Sequence, residues 1–96
     1  MEIMEIIEKL ERLLMVRETD AFSVYFYFYS SNGTFRGRKI FHPLKAEQVL
    51  TIAKWVNFHG SLFGVHQISI FERNENWVAD INIPISGPSY IESLGR

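Results

Sequence analysis

Apolar residues near the start of the chain recur every three or four positions. Ile3, Ile6, Ile7, Leu10, Leu13 and Leu14 form one stripe, which predicts an amphipathic helix over 1–16. Glu5 with Lys9 and Glu8 with Arg12 stand four apart in the order that supports a helix. Arg17-Glu18-Thr19-Asp20 breaks the period. From Ala21 the period is two: Phe22, Val24, Phe26 and Phe28 alternate with Ser23, Tyr25, Tyr27 and Tyr29, all types that suit a pleated strand. Asn32-Gly33 then reads as a two-residue turn, because both of its residues tolerate positive φ. A hairpin over 21–41 follows. Its register puts Ser31 against Thr34, Tyr29 against Arg36, Tyr27 against Arg38 and Tyr25 against Ile40. On the other side Phe28 meets Gly37, Phe26 meets Lys39 and Val24 meets Phe41.

Pro43 suits a first helical position and predicts a second helix over 43–59, with Ala46, Val49, Leu50, Ala53 and Val56 as its core stripe and Gly60 as its stop. A second hairpin, over 63–85, has strands at about 63–72 and 77–85 around a turn at Asn74-Glu75. That turn sets Ile70 opposite Ala79 and Ile68 opposite Ile81 on an apolar side, with Phe71 and Val78, and Ser69 and Asp80, on the other. The tail over 86–96, which begins Ser-Gly-Pro-Ser, reads as loop. The expected architecture is a single α+β domain over 1–96 in αββαββ order: a four-stranded, largely antiparallel sheet with both helices on one face.

One face of that sheet supplies Phe22, Val24, Phe26, Phe28, Phe41, Ile68, Ile70, Ile81 and Ile83 to the core. Lys39 is the exception, aimed at the core side by the register; an edge position would let it snorkel outward. The opposite face is expected to carry Tyr25, Tyr27, Tyr29, Arg36 and Arg38, with Ile40, Phe71 and Val78 nearby. Solvated sheet faces favour Thr, Lys, Glu and Ser. Tyr joins apolar area to a polar tip at low entropic cost, and Arg stacks on rings while offering forked donors. Both types are enriched at interaction hot spots, so Tyr25, Tyr27, Tyr29, Arg36, Arg38 and Phe71 are the expected partner-binding residues. The competing readings are that Tyr–Arg cross-strand pairs only stabilise the hairpin, or that the helices split between the faces and bury the tyrosines.

Charge sharpens this picture. The 96 residues carry a formal net charge of -1, unevenly spread. Residues 1–20 are net -3, residues 21–45 are net +4 with no acid, and residues 46–96 are net -2. An apolar content of 47% fits one folded domain. No apolar stretch approaches the ~20 residues that span a bilayer. The acidic start with no apolar core makes a signal peptide unexpected. The absence of Cys suits a reducing cytoplasm.

Catalytic chemistry is not expected. His42, His59 and His66 fall in a loop, at a helix end and in a strand, and none has a ligand at metal spacing. There is no nucleophile elbow and no glycine-rich phosphate loop. Asp80, among Ser69 and Asn82, is an acid/base candidate without a companion. No cofactor is implied.

The element order resembles one half of a LAGLIDADG homing endonuclease, whose first helix ends in a metal-binding carboxylate beside small residues at a tight helix contact. Here Asp20 follows Glu18-Thr19 in a loop and the helix is rich in Leu and Ile without Gly, so neither the metal site nor the activity is expected. The stretch from Phe41-His42-Pro43-Leu44 through Phe58-His59-Gly60-Ser61 to Ile68-Ser69-Ile70 and Trp77-Val78-Ala79 is similar in layout to the helix–hairpin halves of some small phage-encoded anti-CRISPR proteins. The resemblance covers about half the chain and transfers no functional residue. It implies a short inhibitor in a host cytoplasm that occupies a surface of a host protein or nucleoprotein complex. Single-stranded nucleic-acid binding is the alternative, since aromatics interleaved with Arg on a sheet can stack bases. A homodimer through the Tyr face or the first helix is a third.

Overall fold

A computed structural model describes residues 3–17, 21–72 and 76–93. The first stripe forms α1 (Ile3–Met15), with Ile6, Ile7, Leu10 and Leu14 buried. The alternating segment forms β1 (Phe22–Tyr29), followed by β2 (Phe35–Leu44), α2 (Ala46–His59), a 3-10 turn (Gly60–Phe63), β3 (Val65–Glu72), β4 (Trp77–Asn82) and β5 (Tyr90–Glu92). The sheet is antiparallel throughout, in the order β2-β1-β3-β4-β5. Both helices pack on one face. Their buried residues join Phe22, Val24, Phe26, Ile68, Ile70, Ala79, Ile81 and Ile91 in a single core.

The α+β class and the shared helical face match the expectation, but the sheet has five strands rather than four. The fifth lies in the tail expected to be loop. Ile91 is buried and pairs with Ile81, so a three-residue strand is held by one apolar anchor and the backbone ladder. The second helix starts at Ala46 instead of Pro43, which lies in β2 with His42, also expected in a loop. β2 is an edge strand, where a residue without an N–H is tolerated. The helix is instead started by Gln48, whose Oε1 accepts the Lys45 backbone N–H at 2.8 Å. Gly60 is not the stop expected of it. It keeps right-handed helical angles, and the left-handed cap falls on Gly64 at φ 79°.

The first hairpin departs from the expected turn in an informative way. Ser30 N–H donates to Thr34 O at 2.8 Å and Gly33 N–H to Ser30 O at 2.9 Å, so three residues, Ser31-Asn32-Gly33, make the connection. This shifts the pairing by one residue, and Tyr29 faces Phe35 rather than Arg36. A bulge at Arg36 then restores the expected pairs: Phe28 with Gly37, Tyr27 with Arg38, Phe26 with Lys39, Tyr25 with Ile40 and Val24 with Phe41. Lys39 is exposed at the sheet margin, its Nζ 5.4 Å from the Phe41 ring centroid, as snorkelling from an edge allows.

A second irregularity corrects the other hairpin. Ile70 pairs with Ala79 and Ile68 with Ile81, but Phe71 pairs with Trp77. The extra residue, Val78, turns inward beside Ala79 and is buried, so it does not join the outer face. The Asn74-Glu75 turn, and Glu18, Thr19 and Asp20, lie outside the described residues.

Glycine backbone geometry generates a clear contrast. A Cβ at Gly64 would lie 2.8 Å from Tyr29 O in addition to the left-handed φ, whereas at Gly33, φ 85°, nothing lies within 4 Å. Gly33→Ala is expected to cost about 1–2 kcal/mol in urea unfolding, and Gly64→Ala at least about 1 kcal/mol more. Leu10→Ala, at a fully buried position, is expected to cost about 2–5 kcal/mol in the same assay.

Candidate functional site

Because Phe22, Val24 and Phe26 of β1 point into the helical core, the alternation sends Tyr25, Tyr27 and Tyr29 to the opposite side, and no described helix covers that side. The reading in which the helices split and bury the tyrosines is therefore corrected. All three are half-buried, lying along their own sheet.

The rings touch in sequence. Phe71 lies 5.2 Å from Tyr25 between ring centroids, and Tyr25 stacks with Tyr27 at 6.5 Å and 24°. Tyr27 is 6.4 Å from Phe35, which meets Tyr29 edge-on at 5.8 Å. The Arg38 guanidinium carbon stands over the Tyr25 ring, 5.4 Å from its centroid, a cation–π contact. Five of the six expected residues thus come together: Tyr25, Tyr27, Tyr29, Phe71 and Arg38. Arg36 does not take its expected place. It occupies the β2 bulge, exposed, and Phe35 takes the position opposite Tyr29 at 54% exposure. Phe35 escaped the sequence reading because a two-residue turn assigns it to the other face; Ser30, whose hydroxyl bonds Asn32 and accepts the Thr34 N–H within the loop, was the available signal of a longer connection.

Toward β4 the face becomes polar. Tyr29 Oη donates to Gln67 Oε1 at 3.4 Å, Gln67 Nε2 to Asp80 Oδ2 at 3.3 Å, and Trp77 Nε1 to Asp80 Oδ1 at 2.7 Å. Asn82 Nδ2 donates to Glu92 Oε1 at 2.9 Å. Both Asp80 oxygens are engaged, Oδ1 by the Trp77 indole N–H and Oδ2 by the Gln67 amide, so donors from β3 and β4 fix the carboxylate's orientation. At the end of the face Tyr29, Gln67, Asn82, Pro84, Ile85 and Tyr90 border an open cleft of about 270 Å³. That volume is at the low end for small-ligand sites and is ample for one protruding side chain.

Among the described residues no group of three His, Cys, Asp or Glu could hold a metal ion, and no helix is long and apolar enough to cross a membrane. A separate exposed cluster, Trp55, Phe58, Leu62 and Phe63, lies at the end of α2 and the 3-10 turn, with Trp55 stacked on Phe63 at 5.5 Å. No protein-family model matches the chain, and no curated protein or solved structure matches it.

The polar network should contribute to stability. Asp80→Ala strips the acceptor from both Trp77 and Gln67 and is expected to cost about 1–2 kcal/mol in urea unfolding. Glu92→Ala, at an exposed edge, should cost less than about 0.5 kcal/mol.

Proposed function

We propose that the chain is a small non-catalytic binding protein that docks its Tyr/Arg sheet face on a host protein or nucleoprotein complex and inhibits by covering it. The observation that carries this reading is the unbroken run of Phe71, Tyr25, Tyr27, Phe35 and Tyr29, with Arg38 laid over it, on a face that both helices leave open. Rings already seated against one another lose little freedom when a partner arrives, so more of their buried area appears as affinity. Arg38 can stack and pair with a partner carboxylate at the same time. The cleft beside Tyr29 and Tyr90 offers a socket for one anchoring side chain from the partner. Inhibition by covering also fits the layout resemblance to phage-encoded blocking proteins.

Binding of a single nucleic-acid strand is the second reading, favoured by the ring run as a stacking platform. Asp80 and Glu92 on the same face oppose it, since a phosphate chain crossing the sheet would run over both.

The test compares the wild-type chain with Tyr27→Ala and Arg38→Glu in capture from host lysate. Each variant is expected to lose complex formation by about thirtyfold or more, as a hot-spot truncation of ~2 kcal/mol requires. The thermal midpoint should move by less than ~8 °C, because a cross-strand pair supports the hairpin by only ~0.2–1 kcal/mol. Equal capture by all three chains, or loss of folding in step with loss of capture, would overturn the reading. A labelled oligonucleotide bound at low salt and released steeply as salt rises would instead establish the second one.

A further inference from the structure

We propose that a second copy of this chain covers the Tyr/Arg face until a partner displaces it, in a two-fold dimer whose axis runs parallel to the strands. The inference rests on the reading of this face as a docking surface, and extends it by naming an occupant.

The argument is the distribution of charge across the sheet. One row of directly paired residues runs Ile40, Tyr25, Ser69, Asp80, Glu92 from β2 to β5, and the next runs Arg38, Tyr27, Gln67, Asn82, Tyr90. Among the described residues of this face, the guanidinium of Arg38 lies at the β2 margin and the carboxylates of Asp80 and Glu92 at the β4–β5 margin. Arg38 leans over Tyr25, which carries its guanidinium into the row that ends in Glu92. A two-fold axis along β3, the central strand, exchanges left and right while keeping each row level. It sets β2 of one copy against β5 of the other, so Arg38 meets the Glu92 margin twice, once in each direction. The same operation brings Tyr25 opposite Asp80 of the second copy. An axis across the strands would oppose β2 to β2 and like charge to like. Electrostatics thus selects one of the two symmetric ways to stack the faces with their strands aligned.

The area fits a displaceable cover. Five strands at ~4.8 Å spacing and about eight residues at ~3.3 Å give at most roughly 600 Å² per copy, at the low end of specific interfaces. Aligned sheets pack about 10 Å apart, a distance the aromatic rings can fill. Exposed charge pairs at the margins make the association weaken with salt.

The experiment is sedimentation of the full chain up to about half-millimolar concentration in roughly 50 mM salt. The wild type is expected to move toward twice its mass. Arg38→Glu and Glu92→Arg, both at exposed positions, should each weaken association at least about tenfold, because each sets like charges opposite one another. An equimolar mixture of the two variants restores opposite charge at both contacts and should associate within about threefold of the wild type. A wild type that stays monomeric throughout, or a mixture that associates no better than either variant alone, would overturn the dimer. Such a failure leaves the docking reading intact, since that reading is judged by partner capture lost with Tyr27→Ala.

Discussion

Burial of alternate side chains along β1, and of the apolar residues of β3 and β4, against two helix stripes fixes which face the tyrosines of β1 must take. Phe22, Val24, Ile68, Ile70 and Ile81 are at or near zero exposure beneath α1 and α2. A one-residue slip of β1 would bring Tyr25 and Tyr27 into the core and expel Phe26, so register carries a large free-energy preference. With both helices used on one side, nothing among the described elements covers the other. The open face follows from having two amphipathic helices and one sheet, and its aromatic character then follows from β1 alone.

The bulges refine this plan without disturbing it. The three-residue turn would have rotated the whole of β2 by one position had Arg36 not been extruded to compensate. Gly37, at φ 143°, supplies the backbone freedom next to the extruded residue. The result keeps Arg38 opposite Tyr27 and adds Phe35 to the rings. At β4 the extra residue works in the other direction, moving Val78 into the core and Trp77 out to where its indole N–H meets Asp80. These two irregularities, at Arg36 and at Val78, each exchange one side chain between the faces, and each places an aromatic ring on the open side.

The features legible in the sequence were those with a strong period: the α1 stripe, the alternation in β1, the apolar pairs of Ile68 with Ile81 and Ile70 with Ala79. These rest on repeated burial, where several residues agree. What sequence reasoning missed depends on single residues. Pro43 is compatible with a helix start and with an edge strand, and only the position of β2 in the sheet distinguishes them. Ile91 is the sole buried residue of β5, too little pattern to separate a strand from a loop. The bulges at Arg36 and Val78 are one-residue events that periodicity averages away. The site was accordingly legible in its tyrosines, in Arg38 and in Phe71, and illegible in Phe35, Gln67, Trp77 and Tyr90.

A face of this kind carries its own restraint against indiscriminate binding. The tyrosines lie along the sheet, half-buried, and Arg38 covers one ring, so the apolar area offered to water is broken up by hydroxyls and a cation. The edge strands are blunted as well: β2 exposes Arg36, Arg38 and Lys39 and contains Pro43, and β5 is only three residues long. Association edge to edge is therefore discouraged while association through the flat of the sheet is left open. Any partner of the proposed docking face would have to match rings, a cation on one margin and carboxylates on the other, a combination far more selective than apolar area of the same extent.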